Sequence, residues 1–334
     1  MILNKIPKTN ETYLVIVIVV YSIIVTFVNK SFMSVENFFD ILRSGTGMAI
    51  LGVGVLVVLL SGGIDVSFTA IAISSGYIAV KAIMALGIDN LLLAFIISCS
   101  IGILLGAING IIIAYFKLPT LITTLGTLNL FHGLLLTIVG TKSVNAGQMP
   151  KCFIRFGAAK LLTFTSARGT TVGLSVFIIP LIAVILLTWF LLKYTMLGRS
   201  IYAIGNNMES AMRAGINVAK TQLFVYCYVG FLDGIMGVIT VSEVRWVNPV
   251  YLVGTELTVI AAVVIGGARL TGGSGTIFGA LLGISLITIL NSTLVFLGLS
   301  SSWMDFFVGL IMILSIGYTS YQNKIENQRL LIFK

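Results

Sequence analysis

The chain alternates between long apolar runs and short polar breaks along almost its whole length. A helix needs about 20 apolar residues to cross the hydrocarbon core of a bilayer, with some latitude. Two of the runs, 45–60 and 255–268, are short and lie next to Gly-Gly pairs. Short or Gly-interrupted runs at matching places in two halves of a transporter are typical of a transport path. The pattern predicts an all-α polytopic membrane protein with about ten transmembrane helices, over 13–27, 45–60, 69–86, 91–115, 120–139, 172–192, 221–241, 255–268, 276–297 and 303–321.

The composition favours the same class. The chain is 58% hydrophobic and 9% charged, whereas a soluble domain is about a quarter charged. Its net charge of +9 fits Lys and Arg that flank membrane spans better than a nucleic-acid site. Three cysteines and one histidine predict neither a disulfide framework nor a metal site. No G-x-x-x-x-G-K-[ST] phosphate loop and no catalytic constellation occurs, so the sequence predicts no cofactor and places any ATP hydrolysis in a separate subunit.

An even number of spans puts both termini on the same side of the membrane. If that side is cytoplasmic, 11 of the 20 Lys and Arg residues lie inside and eight outside, with Lys81 within a span. Five of the eight belong to one basic loop, 140–171. The positive-inside rule therefore predicts both termini in the cytoplasm. The first apolar run has no small-residue cleavage site after it, which predicts a retained span rather than a signal peptide.

Two stretches carry the same glycine ladder at a spacing of four, which places each trio on one helix face and forms a packing seam: Gly102, Gly106 and Gly110, and Gly275, Gly279 and Gly283. Each ladder follows an acid-led span, DVSFTAIAISSG from Asp65 and ELTVIAAVVIGG from Glu256. The order predicts an inverted internal repeat, about 45–139 and about 221–321, within a single transmembrane domain over 1–334. Chance matching in a glycine-rich chain is the alternative.

The segment 193–220 is a polar and basic island between two apolar runs. Asn206 can cap a helix start, Glu209 would lie in the first turn where the helix dipole favours an acid, and Gly215 suits a left-handed helix stop. The segment predicts a short cytoplasmic coupling helix that a soluble motor could grip. The alternative is an ordinary basic loop that only sets topology.

Four patches resemble the membrane-spanning subunits of bacterial ABC importers for simple sugars, the ribose, galactose and xylose type that includes the autoinducer-2 permeases. They are SGGIDVS (61–67), LPTLITTLGT (118–127), LGRSIYAIGNNMESAMRAGINV (197–218) and ELTVIAAVVIGGARLTGGSGTIFGALLG (256–283). The chain departs from the family pattern at Phe68 and Thr69 and at Thr258. By the resemblance and the helix logic together, the ATPase-coupling residues would be Gly198, Arg199, Gly205, Asn206, Glu209, Gly215 and Ile216.

The resemblance implies a permease subunit of an ATP-driven importer, which forms the path for a monosaccharide or related small polyol across the cytoplasmic membrane. A second permease subunit, cytoplasmic ATPase subunits and an extracellular or periplasmic binding protein would be its partners. An autoinducer-2 importer is the alternative within the class. An ion-driven secondary sugar transporter is the rival outside it, although intramembrane ionisable pairs are sparse in the sequence. A membrane-embedded enzyme is the third alternative and lacks a catalytic constellation.

Polar residues on apolar spans are candidates for the substrate path, because a sugar needs hydrogen-bond partners: Asp65, Asn109, Thr124, Asn129, Glu256 and Asn291. Such residues also join helices to one another, and Asp65 could instead satisfy free backbone N–H groups. Asp233, inside the seventh span, is expected to pair with a backbone donor or another helix. The basic loop 140–171 is either a solvated loop or a landing surface for an acidic binding protein.

Overall fold

A computed structural model describes residues 10–165, 171–296, 302–304, 306–310, 313 and 317. Helices dominate the part of the chain that it describes. They are α1 (Asn10–Val28), α2 (Val35–Leu60), α3 (Phe68–Leu86), α4 (Leu91–Phe116), α5 (Thr120–Leu134, continued by a π-helical turn Leu135–Val139), α6 (Lys151–Ala158), α7 (Ile178–Tyr194), α8 (Met196–Asn206), α9 (Met208–Arg213), α10 (Val218–Val244), α11 (Glu256–Ile265) and α12 (Ile277–Phe296), with a 3₁₀ turn at Lys30–Met33. Two strands, β1 (Lys160–Thr165) and β2 (Thr171–Ser175), pair antiparallel.

The predicted class, an all-α polytopic membrane protein, is confirmed. Within the described residues, 7 helices are long and apolar enough to cross a membrane, or up to 8 if α7 and α8, bent by 75°, count as one span. The helix α11 is apolar but shorter. The described residues therefore do not confirm the predicted number of about ten, and most of the predicted tenth span, 303–321, lies outside them.

Two predicted boundaries were wrong. The helix α2 begins at Val35, ten residues before the predicted 45, because Ser34 caps it by accepting a hydrogen bond from the Asn37 N–H at 3.2 Å. The predicted span 172–192 begins as strand β2, and its helix starts only at Ile178. In both places local capping or strand pairing, which hydropathy does not report, decided the boundary.

The helix α10 is central and packs against α2, α3 and α4. Its closest approach is to α4, along the first glycine ladder. A Cβ atom on Gly102 would lie 2.0 Å from the Gly230 carbonyl oxygen, and one on Gly106 would lie 2.2 Å from the Tyr226 carbonyl oxygen. Only glycine allows the two backbones to come this close.

The second glycine ladder packs on a different kind of partner. A Cβ on Gly279 would lie 2.2 Å from the Gly266 carbonyl oxygen, and one on Gly283 would lie 1.9 Å from that of Ala262. The first ladder thus faces α10, from the other half of the chain, whereas this one faces α11 and the residue that follows it. The spacing of four does not distinguish these two partners.

The segment 140–171, predicted as a loop, contains α6 and the first strand of the hairpin. The helix α6 buries Cys152, Phe153 and Phe156, and the Phe156 and Phe177 rings meet edge-on with centroids 5.0 Å apart. The Asp89 carboxylate accepts a hydrogen bond from the Cys152 N–H at 2.6 Å. This hydrogen bond holds the first turn of α6 against the connection between α3 and α4.

Candidate functional site

The candidate site begins at the break between α2 and α3. After Leu60 the chain leaves the helix, and Gly62 takes a positive φ of +81°. Residues 63–67 have no regular secondary structure and lead inward to a buried Asp65. One carboxylate oxygen of Asp65 accepts hydrogen bonds from both the N–H and the hydroxyl of Ser67, each at 2.7 Å. Asp65 therefore satisfies the free backbone at the start of α3, as one of its two predicted readings requires.

The first turns of α5 hold this break in place. The Thr120 hydroxyl accepts a hydrogen bond from the Ile64 N–H at 3.0 Å, and the Thr124 hydroxyl accepts one from the Val66 N–H at 3.2 Å. Thr124, a predicted path residue, thus binds backbone in this state. Thr120 was missed by the sequence analysis, although its place directly after a proline at the start of a helix was a usable signal.

Several buried polar atoms around Asp65 have no hydrogen-bond partner within the described residues. Asn109 donates to the Ser67 hydroxyl at 2.7 Å, but its own side-chain oxygen is unpaired. The Tyr226 hydroxyl and both carboxylate oxygens of Asp233 are likewise buried and unpaired. Tyr226 and Asp233 lie close enough to Asp65 for its charge to affect their ionisation. We call Asp65, Ser67, Asn109, Tyr226 and Asp233 the interior polar cluster.

The predicted partner for Asp233 was wrong: neither a backbone donor nor another helix reaches its carboxylate in the described part of the chain. An unsatisfied buried polar group costs about 1–3 kcal/mol, and a charged one costs more. The interior polar cluster therefore has unused hydrogen-bonding capacity, which a polar ligand or water can take up.

Glu256 opens α11 and joins it to α3. Its carboxylate accepts hydrogen bonds from the Gly254 N–H at 2.9 and 3.0 Å, and the Thr69 hydroxyl donates to one of the same oxygens. Thr69 is one of the three residues at which the chain departs from the family pattern. The departure therefore supplies the side chain that connects the first turns of the two helices.

Two predicted path residues lie elsewhere. Asn129 is on an exposed face of α5 and donates only to the Leu125 carbonyl of its own helix, at 2.9 Å. Asn291 is exposed on α12, beside a separate cavity. The structure thus groups Asp65, Asn109 and Thr124 in one place, and Glu256 adjoins them through α3.

The cavity beside Asn291 lies between α2, α10 and α12. Its volume is about 590 Å³, and its lining mixes donors and acceptors, which include Asp40, Arg43, Glu243, Tyr251, Thr288 and Asn291. We call it the α2–α12 cavity. Arg43 donates from Nη2 to the Glu243 carbonyl at 3.1 Å, and its buried Nε has no partner among the described residues. A cavity of this size matches small-molecule sites in general.

The predicted coupling segment forms two short helices at the other end of α10, which is about 40 Å long. The helix α8 is capped by Thr195, whose hydroxyl accepts from the Gly198 N–H at 3.1 Å. A Cβ on Gly198 would lie 2.4 Å from the carbonyl oxygens of Leu191 and Leu192, so glycine allows the sharp turn from α7. Arg199 is exposed one residue later.

The predicted cap of the coupling helix was wrong by one residue. Asn206 ends α8, and Asn207 caps α9 by accepting from the Ser210 N–H at 2.8 Å. Glu209 lies in the first turn of α9 and forms an exposed ion pair with Arg213 at 2.6 Å. Gly215 has a φ of +83° just after the helix. The Ile216 N–H then bonds the Ala211 carbonyl at 3.1 Å.

Comparison with known proteins gives a consistent family. Residues 37–316 match the family described as the permease component of the branched-chain amino acid transport system. The chain is 33% identical over 307 residues to the ribose import permease protein of Haemophilus influenzae, covering 92% of each chain. It is 33% identical over 302 residues to the ribose import permease protein of Escherichia coli, covering 90% of this chain and 91% of that one.

It is also 30% identical over 312 residues to the autoinducer 2 import system permease protein of Escherichia coli, covering 93% of this chain and 87% of that one. No solved structure matches the chain. The matches confirm the resemblance to importer permeases that the sequence motifs indicated. Because the family match and these relatives each cover most of its length, the chain belongs to this family of membrane-transport permease components.

Proposed function

We propose that the chain is the permease subunit of an ATP-driven importer for a monosaccharide or a related small polyol. A separate ATPase subunit would hydrolyse ATP, an extracellular binding protein would deliver the substrate, and a second permease subunit would complete the transporter. Both termini would lie in the cytoplasm. The family description names branched-chain amino acids, but the relatives that align nearly end to end are named for ribose and autoinducer 2. We therefore favour a small polyhydroxylated substrate.

The observation that carries the proposal is the α8–α9 segment. The helix α9 is short, capped by Asn207, closed by Gly215 and mostly exposed. Its ion pair, Glu209 with Arg213, faces solvent rather than another part of the described chain. A capped and charged helix that projects from an apolar bundle is suited to docking into a groove on a soluble partner.

The path would run through polar sites at two levels. Thr240 and Glu243, in the last turns of α10, line the α2–α12 cavity. Asp233 and Tyr226 of the interior polar cluster lie on the same helix, closer to its start. An uncharged polyol both donates and accepts hydrogen bonds, so it suits the unpaired donors and acceptors in these two places. Within the α2–α12 cavity, Asp40 and Glu243 lie together with Arg43, and this mixture of charges does not favour a strongly charged substrate of either sign.

We further propose that the two halves are inverted repeats in one transmembrane domain, about 45–139 and about 221–321. The packing supports this: α10 contacts α4 of the first half, as α2 contacts α12 of the second. Each half also contains a non-helical connection, 61–67 and 246–255, that leads to the start of a helix, α3 or α11. The first turns of these two helices meet at Thr69 and Glu256.

Reconstitution tests the proposal. The chain would be purified with a candidate ATPase and a candidate binding protein from the same genome and placed in proteoliposomes. We expect uptake of labelled D-ribose or autoinducer 2 that requires ATP, the binding protein and the ATPase together. Uptake of labelled leucine under the same conditions would instead favour the substrate of the family description. The proposal would be contradicted if none of these compounds entered with ATP and the ATPase did not bind the chain.

An ion-driven secondary transporter is the second candidate, favoured by one observation. Asp65 and Asp233 are two buried acids close enough for the charge of one to affect the other. Asp233 has no hydrogen-bond partner in the described residues. Intramembrane acids often carry protons or cations in such transporters. Uptake by the chain alone, without ATP and abolished by a protonophore, would select this candidate over the importer.

A further inference from the structure

Three backbone segments meet at glycines on the side of the bundle that carries α8. Gly205 lies in the last turn of α8, Gly62 in the connection from α2 to α3, and Gly272 in the connection from α11 to α12. A Cβ on Gly205 would lie 1.9 Å from the Leu60 carbonyl oxygen, and one on Gly272 would lie 2.7 Å from the Gly62 Cα. Real Cβ atoms do not approach this closely, so Gly205 and Gly272 must be glycine to make the contact. Gly62 has a φ of +81° and needs glycine for its backbone conformation.

Further contacts tie α8 to both connections. The Gly273 N–H donates to the Leu60 carbonyl at 3.1 Å, which joins the two connections directly. A Cβ on Gly273 would lie 2.4 Å from the side-chain oxygen of Asn206. The Tyr202 hydroxyl donates to the Gly275 carbonyl at 3.4 Å. The last turn of α8 is therefore wedged against two connections that belong to different halves of the chain.

The first connection leads directly to the interior polar cluster, whereas the second lies at the opposite end of α11 from Glu256. Asp65 follows Gly62 by three residues, and its neighbours Ile64 and Val66 are the backbone groups that α5 holds. The second connection follows α11, whose first residue, Glu256, bonds to Thr69 on α3. A shift of α8 would therefore reach the interior polar cluster directly through the first connection, and the second connection would add to it only through the length of α11.

We propose that this contact of Gly62, Gly205 and Gly272 transmits movement of the docked α8–α9 segment to the Asp65 connection, so that α8 opens and closes the inner end of the path. The inference rests on the proposed function. Its physical basis is that a contact between backbones has no side-chain rotamers to absorb a displacement. A tightly packed element passes a small shift on to its neighbours rather than deforming continuously.

The alternative is static packing in which the glycines only allow close approach. A contact that transmits movement differs from static packing in one respect: ATP binding or hydrolysis at the ATPase changes the conformation at the distant site. The readout must therefore be a response of the Asp65 connection to ATP, not stability or assembly alone.

The experiment uses the complex of the full chain with its ATPase. A single cysteine replaces Ile64, which is half-buried, in a background without Cys99, Cys152 and Cys227. The rate of labelling by N-ethylmaleimide is measured without nucleotide and after trapping with ATP and vanadate. We expect the rate to change by about fivefold or more in the otherwise unaltered chain, the lower end of typical coupling between sites.

Gly205→Ala should abolish this dependence on ATP while ATP hydrolysis continues. Gly126→Ala is the matched control, because Gly126 is also helical and a Cβ there would meet nothing within 4 Å. If Gly205→Ala prevents assembly, the Tyr202→Phe variant is tested in its place. This change removes the hydrogen bond from α8 to the Gly275 carbonyl and adds no atom. It should reduce the dependence on ATP.

The outcomes separate the two proposals. If the ATPase does not bind the unaltered chain, the importer itself is contradicted. If the unaltered chain responds to ATP and an assembled Gly205→Ala complex responds equally, the transmission contact is overturned while the importer stands. The same holds if Gly205→Ala does not assemble and Tyr202→Phe responds fully.

Discussion

The Thr69 hydroxyl donates a hydrogen bond to the Glu256 carboxylate, and so joins the first turns of α3 and α11 across 187 residues of sequence. Both side chains are buried. The Gly254 N–H also donates to both oxygens of the Glu256 carboxylate. The start of α11 lacks a capping side chain. The hydrogen bond from Thr69 of α3 holds it in place instead.

Removing the Thr69 hydroxyl should destabilise this junction. Thr69→Val preserves the shape of the side chain but leaves a buried carboxylate with one fewer donor, which costs about 1–3 kcal/mol. We expect a lower unfolding temperature for the purified protein in detergent. Thr69→Ser retains the hydroxyl and serves as the control. Equal unfolding temperatures for the Val and Ser variants would show that the hydrogen bond contributes nothing.

Asn109 and Asn129 are matched asparagines with different surroundings, since the first is fully buried against Ser67 and the second is exposed on α5. Asn109→Leu removes the donor to Ser67 and the unpaired oxygen of the interior polar cluster. We expect initial uptake of the substrate identified by reconstitution to fall about tenfold, equivalent to roughly 1.4 kcal/mol. Asn129→Leu should transport almost normally. Similar rates for the two variants would remove Asn109 from the path.

The Asp89 hydrogen bond determines how the docking of α6 should depend on pH. The hydrogen bond from the Cys152 N–H holds the pKa of the Asp89 carboxyl below its usual value, and nearby Arg155 and Lys151 act in the same direction. A lowered pKa in the folded state means that this contribution to stability is complete above the ordinary carboxyl pKa of about 3.9. It is lost as the pH falls through the lower folded-state value. Docking of α6 should therefore be insensitive to pH from neutral down to about 4.

The adjacent thiol reports this docking. Burial is the main cause that raises the pKa of Cys152 to about 11, so at neutral pH its thiol is protonated and slow to react. In a chain without Cys99 and Cys227, Asp89→Ala should increase the rate at which maleimide labels Cys152 at neutral pH. Lys142→Ala, an exposed residue of the same segment 140–171, is the control. An unchanged rate in Asp89→Ala would mean that the hydrogen bond does not hold α6.

A change in the exposed ion pair of Glu209 and Arg213 can test docking of α9 without altering the stability of the permease. Its side chains are 71% and 78% exposed, and an exposed pair at this spacing contributes only about 0.3–0.5 kcal/mol. Glu209→Lys should therefore leave the unfolding temperature of the isolated permease almost unchanged. If α9 docks into the ATPase, the same variant should weaken assembly with the ATPase and lower the stimulation of ATP hydrolysis by loaded binding protein. Glu36→Lys, distant on α2, is the control for charge reversal.

Local signals in the sequence were enough for the membrane class and for most helices. The apolar runs correspond to α1 to α5, α10 and α12, because a long apolar stretch can bury its backbone polar groups in lipid only as a helix. Gly215 follows α9 with a positive φ, as its predicted place at a helix stop requires. These features depend on residues close together in the chain.

Features that depend on distant residues were decided by the tertiary structure. The two glycine ladders have the same spacing, yet Gly106 packs against Tyr226 of the other half and Gly283 against Ala262 of its own. The link from Thr69 to Glu256 could not be read from either motif. Helical periodicity specifies which face of a helix is suited to close packing, but the partner of that face depends on how the whole bundle assembles.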